Sequence, residues 1–212
     1  MVLASEDLGI AVRVATVVIP VAVYFLVLGL LNSRRHPQML SGRLDFALMI
    51  TALSPLFALP AIDYVGASLP GIGGLVLGLA AVILLLAPGR GNWVVYNLPS
   101  SQAREAVIRT LGRLHLPFEE QGGAFRLGDD RGVVVVRSFS LLRNVSVRLR
   151  NGSVGLRRSF EDALSQTLGA TDAETSPTAV SFLLAAVALL VAPLSMLAHR
   201  VPEIVRILTD LL

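Results

Sequence analysis

Apolar residues in this chain gather into four long runs, and one stretch between the third and fourth alternates apolar with polar positions instead. The runs cover residues 10–31, 44–61, 69–87 and 178–198. A bilayer core of ~30 Å takes about 20 helical residues to cross. The pattern therefore predicts an α-helical integral membrane protein with about four transmembrane helices. The second run is short and carries Ser54, Pro55 and Pro60, which predicts a thin or broken span, with a re-entrant segment as the alternative. Pro20 in the first run is of a kind that membrane helices tolerate.

The alternating stretch, residues 92–170, reads as an α+β module. A strand is expected over 93–98. Pro99-Ser100-Ser101 then opens a helix in which Ala103, Ala106, Val107, Leu111 and Leu114 recur at helical spacing until Pro117 stops it. Residues 118–121 and 124–127 predict a hairpin around Gly122-Gly123. Asp129-Asp130-Arg131-Gly132 predicts a turn before a β-branched strand over 133–139. Val145, Val147 and Leu149 alternate with Ser146, Arg148 and Arg150, a half-buried strand ending at Asn151-Gly152. Leu156, Phe160, Leu164 and Leu168 form the stripe of a second helix, with Gly169 as its C-cap. This order predicts one antiparallel sheet with both helices on one face.

The expected organisation is a three-span region over 1–91, the module over 92–170 between spans three and four, and a linker over 171–177. A fourth span with an amphipathic tail follows over 178–212. The tail places Val201, Ile204, Val205, Leu208, Leu211 and Leu212 on one helical face.

Composition agrees with a membrane class. Hydrophobic residues make up 54% and charged residues 16%, with a mean hydropathy of +0.70, whereas a soluble domain carries about 25% charged residues. The 18 basic residues are all arginine, since the chain has no lysine. A GC-rich genome is the plain explanation, yet guanidinium pairs bidentately with carboxylate and phosphate in a way lysine does not. There is no cysteine, which excludes disulfides, thiolate nucleophiles and Cys-ligated zinc or iron–sulfur clusters.

Charge also sets an expected topology. Residues 32–43 hold Arg34, Arg35, His36 and Arg43 without an acid, so the positive-inside rule places them in the cytoplasm. Both termini then lie outside and the module is cytoplasmic, with a bacterial inner membrane as the expected location. Residues 1–8 lack the positive start of a signal peptide, so the first run is read as a retained span. Arg13 in its first turn is expected to snorkel to the membrane interface, in company with Arg34, Arg35, Trp93 and Tyr96.

Motifs for chemistry are sparse. His36, His115 and His199 lie in separate segments, and no HExxH, Walker A, G-x-G-x-x-G or G-x-S-x-G occurs. Asp129-Asp130 and Glu119-Glu120 read as turn and strand-edge residues. Gly152-Ser153-Val154-Gly155 reads as a loop, with an anion site at the following helix start as the alternative. No catalytic, cofactor or metal residue is assigned, no cofactor is expected, and the chain is read as a non-enzyme. Helix packing is expected at Gly71, Gly74 and Gly78, and at Ala188 and Ala192. Arg148, Arg150, Arg157 and Arg158 are the candidate contacts to anionic lipid or a partner. The partners implied are membrane lipid and other integral membrane subunits; nucleic acid is not expected, because exposed aromatics do not interleave the basic strand, and a homo-oligomer is left open. The function read from this is a scaffold subunit of a membrane complex. A membrane-anchored sensor of an anionic metabolite or lipid headgroup is the alternative, and a small transporter is third.

Overall fold

The computed structural model describes residues 2–66, 68–128, 132–139, 144–173, 177–202, 205, 206 and 209. The chain begins with α1 (Val2–Ser33), β1 (Gln38–Ser41), α2 (Gly42–Val65) and α3 (Leu69–Leu86). There follow β2 (Asn92–Tyr96), α4 (Ser100–Arg113), β3 (Phe118–Gln121), β4 (Ala124–Leu127), β5 (Gly132–Phe139) and β6 (Asn144–Arg150). The last elements are α5 (Val154–Gly169) and α6 (Pro177–Ala198). Of the predicted features, Asp129-Asp130-Arg131 and the tail residues Ile204, Leu208, Leu211 and Leu212 lie outside the described residues. Two compact units divide the chain: Met1–Val27, Leu48–Leu85 and Phe182–Leu212 make the first, and Leu28–Ala47 and Leu86–Ser181 the second.

The first unit is helical. Among the described residues, four helices are long and apolar enough to cross a membrane: α1, α2, α3 and α6. The expected break in α2 is absent, and the helix runs through both Pro55 and Pro60 for 24 residues. Pro55 has no N–H to give the carbonyl one turn back, and Ser54 Oγ donates to that Thr51 carbonyl at 2.8 Å instead. A hydroxyl that re-satisfies a freed carbonyl is how apolar helices carry proline. α1 turns Ala11, Ala15 and Ala22 inward, α6 turns Phe182 and Ala186 inward, and Phe25 meets Phe182 with ring centroids 5.9 Å apart. α3 buries no residue at all.

The second unit is one antiparallel sheet in the order β1-β2-β6-β5-β4-β3. Its first strand comes from the basic segment 32–43, expected as a plain loop: Gln38 to Ser41 pair with Tyr96 to Trp93. β2 is thus an interior strand, and its Trp93, Val94, Val95 and Tyr96 are all buried. Strand side chains alternate between faces, and one face of this sheet packs on both helices. Trp93 and Val95, Val145, Val147 and Leu149, Val134, Phe125 and Leu127 meet Val107 and Leu111 of α4 and Phe160, Leu164 and Leu168 of α5. Trp93 and Phe160 stack with centroids 5.6 Å apart. Ser153 caps α5, its Oγ accepting from Leu156 N at 3.1 Å, so the glycine-flanked stretch serves as a helix cap.

On this helix-covered side, Arg104 of α4 makes a two-pronged ion pair with Glu120 of β3. The hydrogen bonds hold the Glu120 carboxyl below its ordinary value and raise Arg104.

Two outcomes follow from this packing. Phe160→Ala is expected to cost about 3–5 kcal/mol, as other large-to-small core changes do. It should also move the emission of Trp93, the single tryptophan, to longer wavelength, because the indole loses its ring partner. Because the folded Glu120 value is depressed, the stability from its pair with Arg104 is full above the ordinary carboxylate value and lost as pH falls through the folded one. Thermal unfolding against pH should therefore show wild type above Glu120→Gln at neutral pH and the two converging in acid, by a small and salt-sensitive margin for a surface pair.

Candidate functional site

The face of the sheet away from α4 and α5 is fixed by register. On β6, Ser146, Arg148 and Arg150 alternate with the buried Val145, Val147 and Leu149, so their side chains leave from the opposite face. Arg148 stands opposite Asn92 of β2 and Val135 of β5, and Arg137 stands opposite Ser146. Asn92, Val135, Arg137, Ser146, Arg148 and Arg150 line a cavity of about 210 Å³. Ser146 Oγ donates to Asn92 Oδ1 at 2.9 Å and fixes the polar floor. Among the described residues, none of the three guanidinium groups is in an ion pair. Glu119, on the same face, stands opposite Arg126 rather than the trio. Like charges on neighbouring strand positions repel, and an anion between them relieves that repulsion through bidentate hydrogen bonds.

Arg137 is the member that sequence reasoning missed. It sits at the end of an apolar run, and only the β5–β6 register brings it beside Arg148. Arg157 and Arg158, grouped with Arg148 and Arg150 from sequence, belong to α5. The turn at Asn151-Gly152 carries the chain to the other layer, where the Arg157 side chain lies over Gly91. The structure brings Arg148 and Arg150 together with Arg137, and not with the second pair.

The same face is closed at its β1–β2 end. Gly42, the first residue of α2, lies against Asn92 so closely that a Cβ there would come within 2.8 Å of Asn92 Nδ2. Tyr96 Oη donates to Asp45 one turn further along α2. Next to it, Asn97 takes the left-handed conformation at φ 58°. Its N–H donates to Asn32 Oδ1 at 3.1 Å and its Nδ2 donates to the Arg34 carbonyl at 2.9 Å. Asn32 Nδ2 donates in turn to the Leu28 carbonyl at 2.9 Å. Both asparagines are fully buried. The Arg35 carbonyl accepts from Ala173 N at 2.7 Å, and His36 Nδ1 lies 3.3 Å from the Thr171 carbonyl. Trp93 and Tyr96, assigned to the membrane interface from sequence, are β2 side chains 3% and 1% exposed, because each face of an interior strand is covered here. Arg34 and Arg35 are exposed.

In the helical unit, Arg13 and Asp63 form a bidentate pair, Nη1 to Oδ2 at 3.0 Å and Nη2 to Oδ1 at 2.9 Å. Arg13, expected at the membrane interface, has Asp63 as a carboxylate partner. A Cβ added at Gly73, Gly74 or Gly78 of α3 would meet nothing within 4 Å, and Ala188 and Ala192 of α6 are exposed. The residues that α1 and α6 bury against the rest of their unit, Ala11, Ala15 and Ala186, carry the same small-residue signal, which sequence reasoning placed elsewhere. A second cavity of about 330 Å³ lies between α1 and the end of α6, where His199 Nδ1 approaches the Ser195 carbonyl at 2.7 Å. Among the described residues, no three His, Asp or Glu side chains gather as a metal site would require. Comparison with protein-family models, curated proteins and solved structures finds no match to this chain.

The Arg13–Asp63 pair predicts a compensation. Asp63→Asn alone leaves an unpartnered guanidinium beside apolar helices and should lower thermal stability in lipid; adding Arg13→Gln should recover most of the loss. Additive effects of the two changes would show that the pair carries no coupling.

Proposed function

We propose that this protein is a non-catalytic accessory or scaffold subunit of a larger membrane complex, anchored by four membrane-crossing helices. In this reading both termini lie outside and the sheet-bearing unit is cytoplasmic. The observation that carries the proposal is α3. It is apolar throughout, buries no residue within its own chain, and carries Gly73, Gly74 and Gly78 facing open space. Glycine weakens a helix by about 1 kcal/mol relative to alanine, and in membrane helices small residues earn their place by letting another backbone approach. Here the chain's own helices do not use that approach, so a helix of another subunit, or of a second copy, is its partner. The exposed Ala188 and Ala192 of α6 offer a second such surface. The sparse catalytic motifs of the sequence support a binding role.

The alternative is a membrane-anchored sensor, and the specific observation in its favour is the arginine-lined cavity on the sheet. The two readings share the membrane anchor and differ in what the cytoplasmic unit binds.

The glycine surface supplies the test. Gly78→Ile adds a side chain where this chain has no neighbour, so the variant should fold, with unchanged Trp93 emission and unfolding temperature. In gentle detergent extracts it should lose a stoichiometric partner subunit, or the second copy, that wild type retains. A wild type that runs as a lone monomer from native membranes would refute the subunit reading.

A further inference from the structure

We propose that the helix-free face of the sheet is a lipid-headgroup site, in which Arg137, Arg148 and Arg150 hold the phosphates of anionic lipid in the leaflet that α2 enters. The inference deepens the membrane reading above and rests on it. Three independent features of the face converge.

The first is charge. Three guanidinium groups surround one cavity, none in an ion pair among the described residues. Guanidinium matches phosphate oxygens with two parallel hydrogen bonds, and the Ser146–Asn92 pair adds polar groups beneath them.

The second is the tether. α2 starts on this face, with Gly42 against Asn92 and Asp45 accepting from Tyr96. β1 ends at Ser41 and α2, an apolar helix of 24 residues, begins at the next residue, so no linker separates the sheet from a helix read as crossing the membrane. Asn92 lines the cavity, and Arg148 stands beside it at one strand spacing of about 4.8 Å. The arginines are therefore tethered within reach of headgroups.

The third is an apolar probe. Phe139 shares the face with Arg137 two positions earlier on β5 and is 53% exposed. An exposed aromatic beside arginines suits an interface with headgroups around and acyl chains below. An acidic protein surface offers the arginines a match but gives no reason for an exposed aromatic beside them or for the direct join of the sheet to an apolar helix. The structure thus favours lipid.

The chain has no cysteine, so one introduced cysteine reports alone. A spin label at Gln121→Cys would sit on this face at the end of β3, and one at Ser159→Cys on the exposed side of α5 serves as control. The full-length protein is reconstituted in phosphatidylcholine, with or without phosphatidylglycerol. Collision with oxygen, concentrated in lipid, is then compared with collision with a water-soluble nickel chelate. Anionic lipid should shift the label at 121 towards oxygen and leave the label at 159 unchanged. At roughly fivefold per arginine, the combined Arg137→Gln, Arg148→Gln and Arg150→Gln variant should weaken docking on the order of a hundredfold and abolish the shift. Raised salt should do the same to the unsubstituted arginines, independently of any effect of the triple change on folding.

A label at 121 equally open to water in both bilayers, or a shift that survives the triple variant, would overturn the proposal. So would a shift abolished by inorganic phosphate but not by chloride at equal ionic strength, which would assign the face to a soluble phosphate. A shift that appears only with a co-purified acidic subunit would assign it to protein. Failure of the membrane reading is distinguishable, because the protein would then wash from neutral vesicles in alkaline carbonate whatever the label reports.

Discussion

Strand β2 is the element on which the second unit depends. It is paired along both edges, by β1 and β6, and covered on both faces. A strand so placed has no water to satisfy its polar groups, and each unpaired buried group costs about 1–3 kcal/mol. The sequence around it supplies partners from distant places. Tyr96 finds Asp45, Asn97 finds Asn32 and the Arg34 carbonyl, and the β2 backbone finds Gln38 to Ser41. Those partners lie at the end of α1 and the start of α2. The burial of one short strand thereby draws the end of α1 and the start of α2 into the second unit.

The two faces of the sheet then take different tasks. One is dry and aromatic, with Trp93 and Phe125 packed against Phe160 and the other apolar side chains of α4 and α5. On the other, among the described residues, Arg137, Arg148 and Arg150 are in no ion pair. Arg104 on α4 and Arg126 on β4 stand instead against Glu120 and Glu119. That difference is the ground of the proposed binding surface, and the exposed Phe139 lies on the same face.

Much of this architecture is legible in the chain. The strand over 144–150 shows strict alternation, and the stripes of α4 and α5 show helical spacing, because in each the burial of one face is local information. What is not legible depends on partners far away in sequence. Gln38-Met39-Leu40-Ser41 is too short to alternate convincingly and becomes a strand only because β2 needs an edge covered. The passage of α2 through Pro55 is accompanied by one hydroxyl bond, from Ser54 Oγ to the Thr51 carbonyl, which does not show in hydropathy. For the arginine cluster, Arg148 and Arg150 were visible as a strand face. Arg137 required the register, and Arg157 and Arg158 were misgrouped because nearness in sequence hides a change of layer.

The pairing of β1 with β2 also governs how the protein can be assembled and cut. A fragment spanning 92–170 contains every strand but the first, so it would present β2 as a bare edge with unpaired amides and with Tyr96 and Asn97 stripped of their partners. Exposed hydrophobic edges invite pairing with other chains. Completing the sheet requires a strand made before the second and third helices, and its closure across them is non-local, the slow kind of contact in folding. The sheet is therefore finished only after α2 and α3, which separate its first two strands in the chain, have been made, which couples the maturation of the second unit to that of the first.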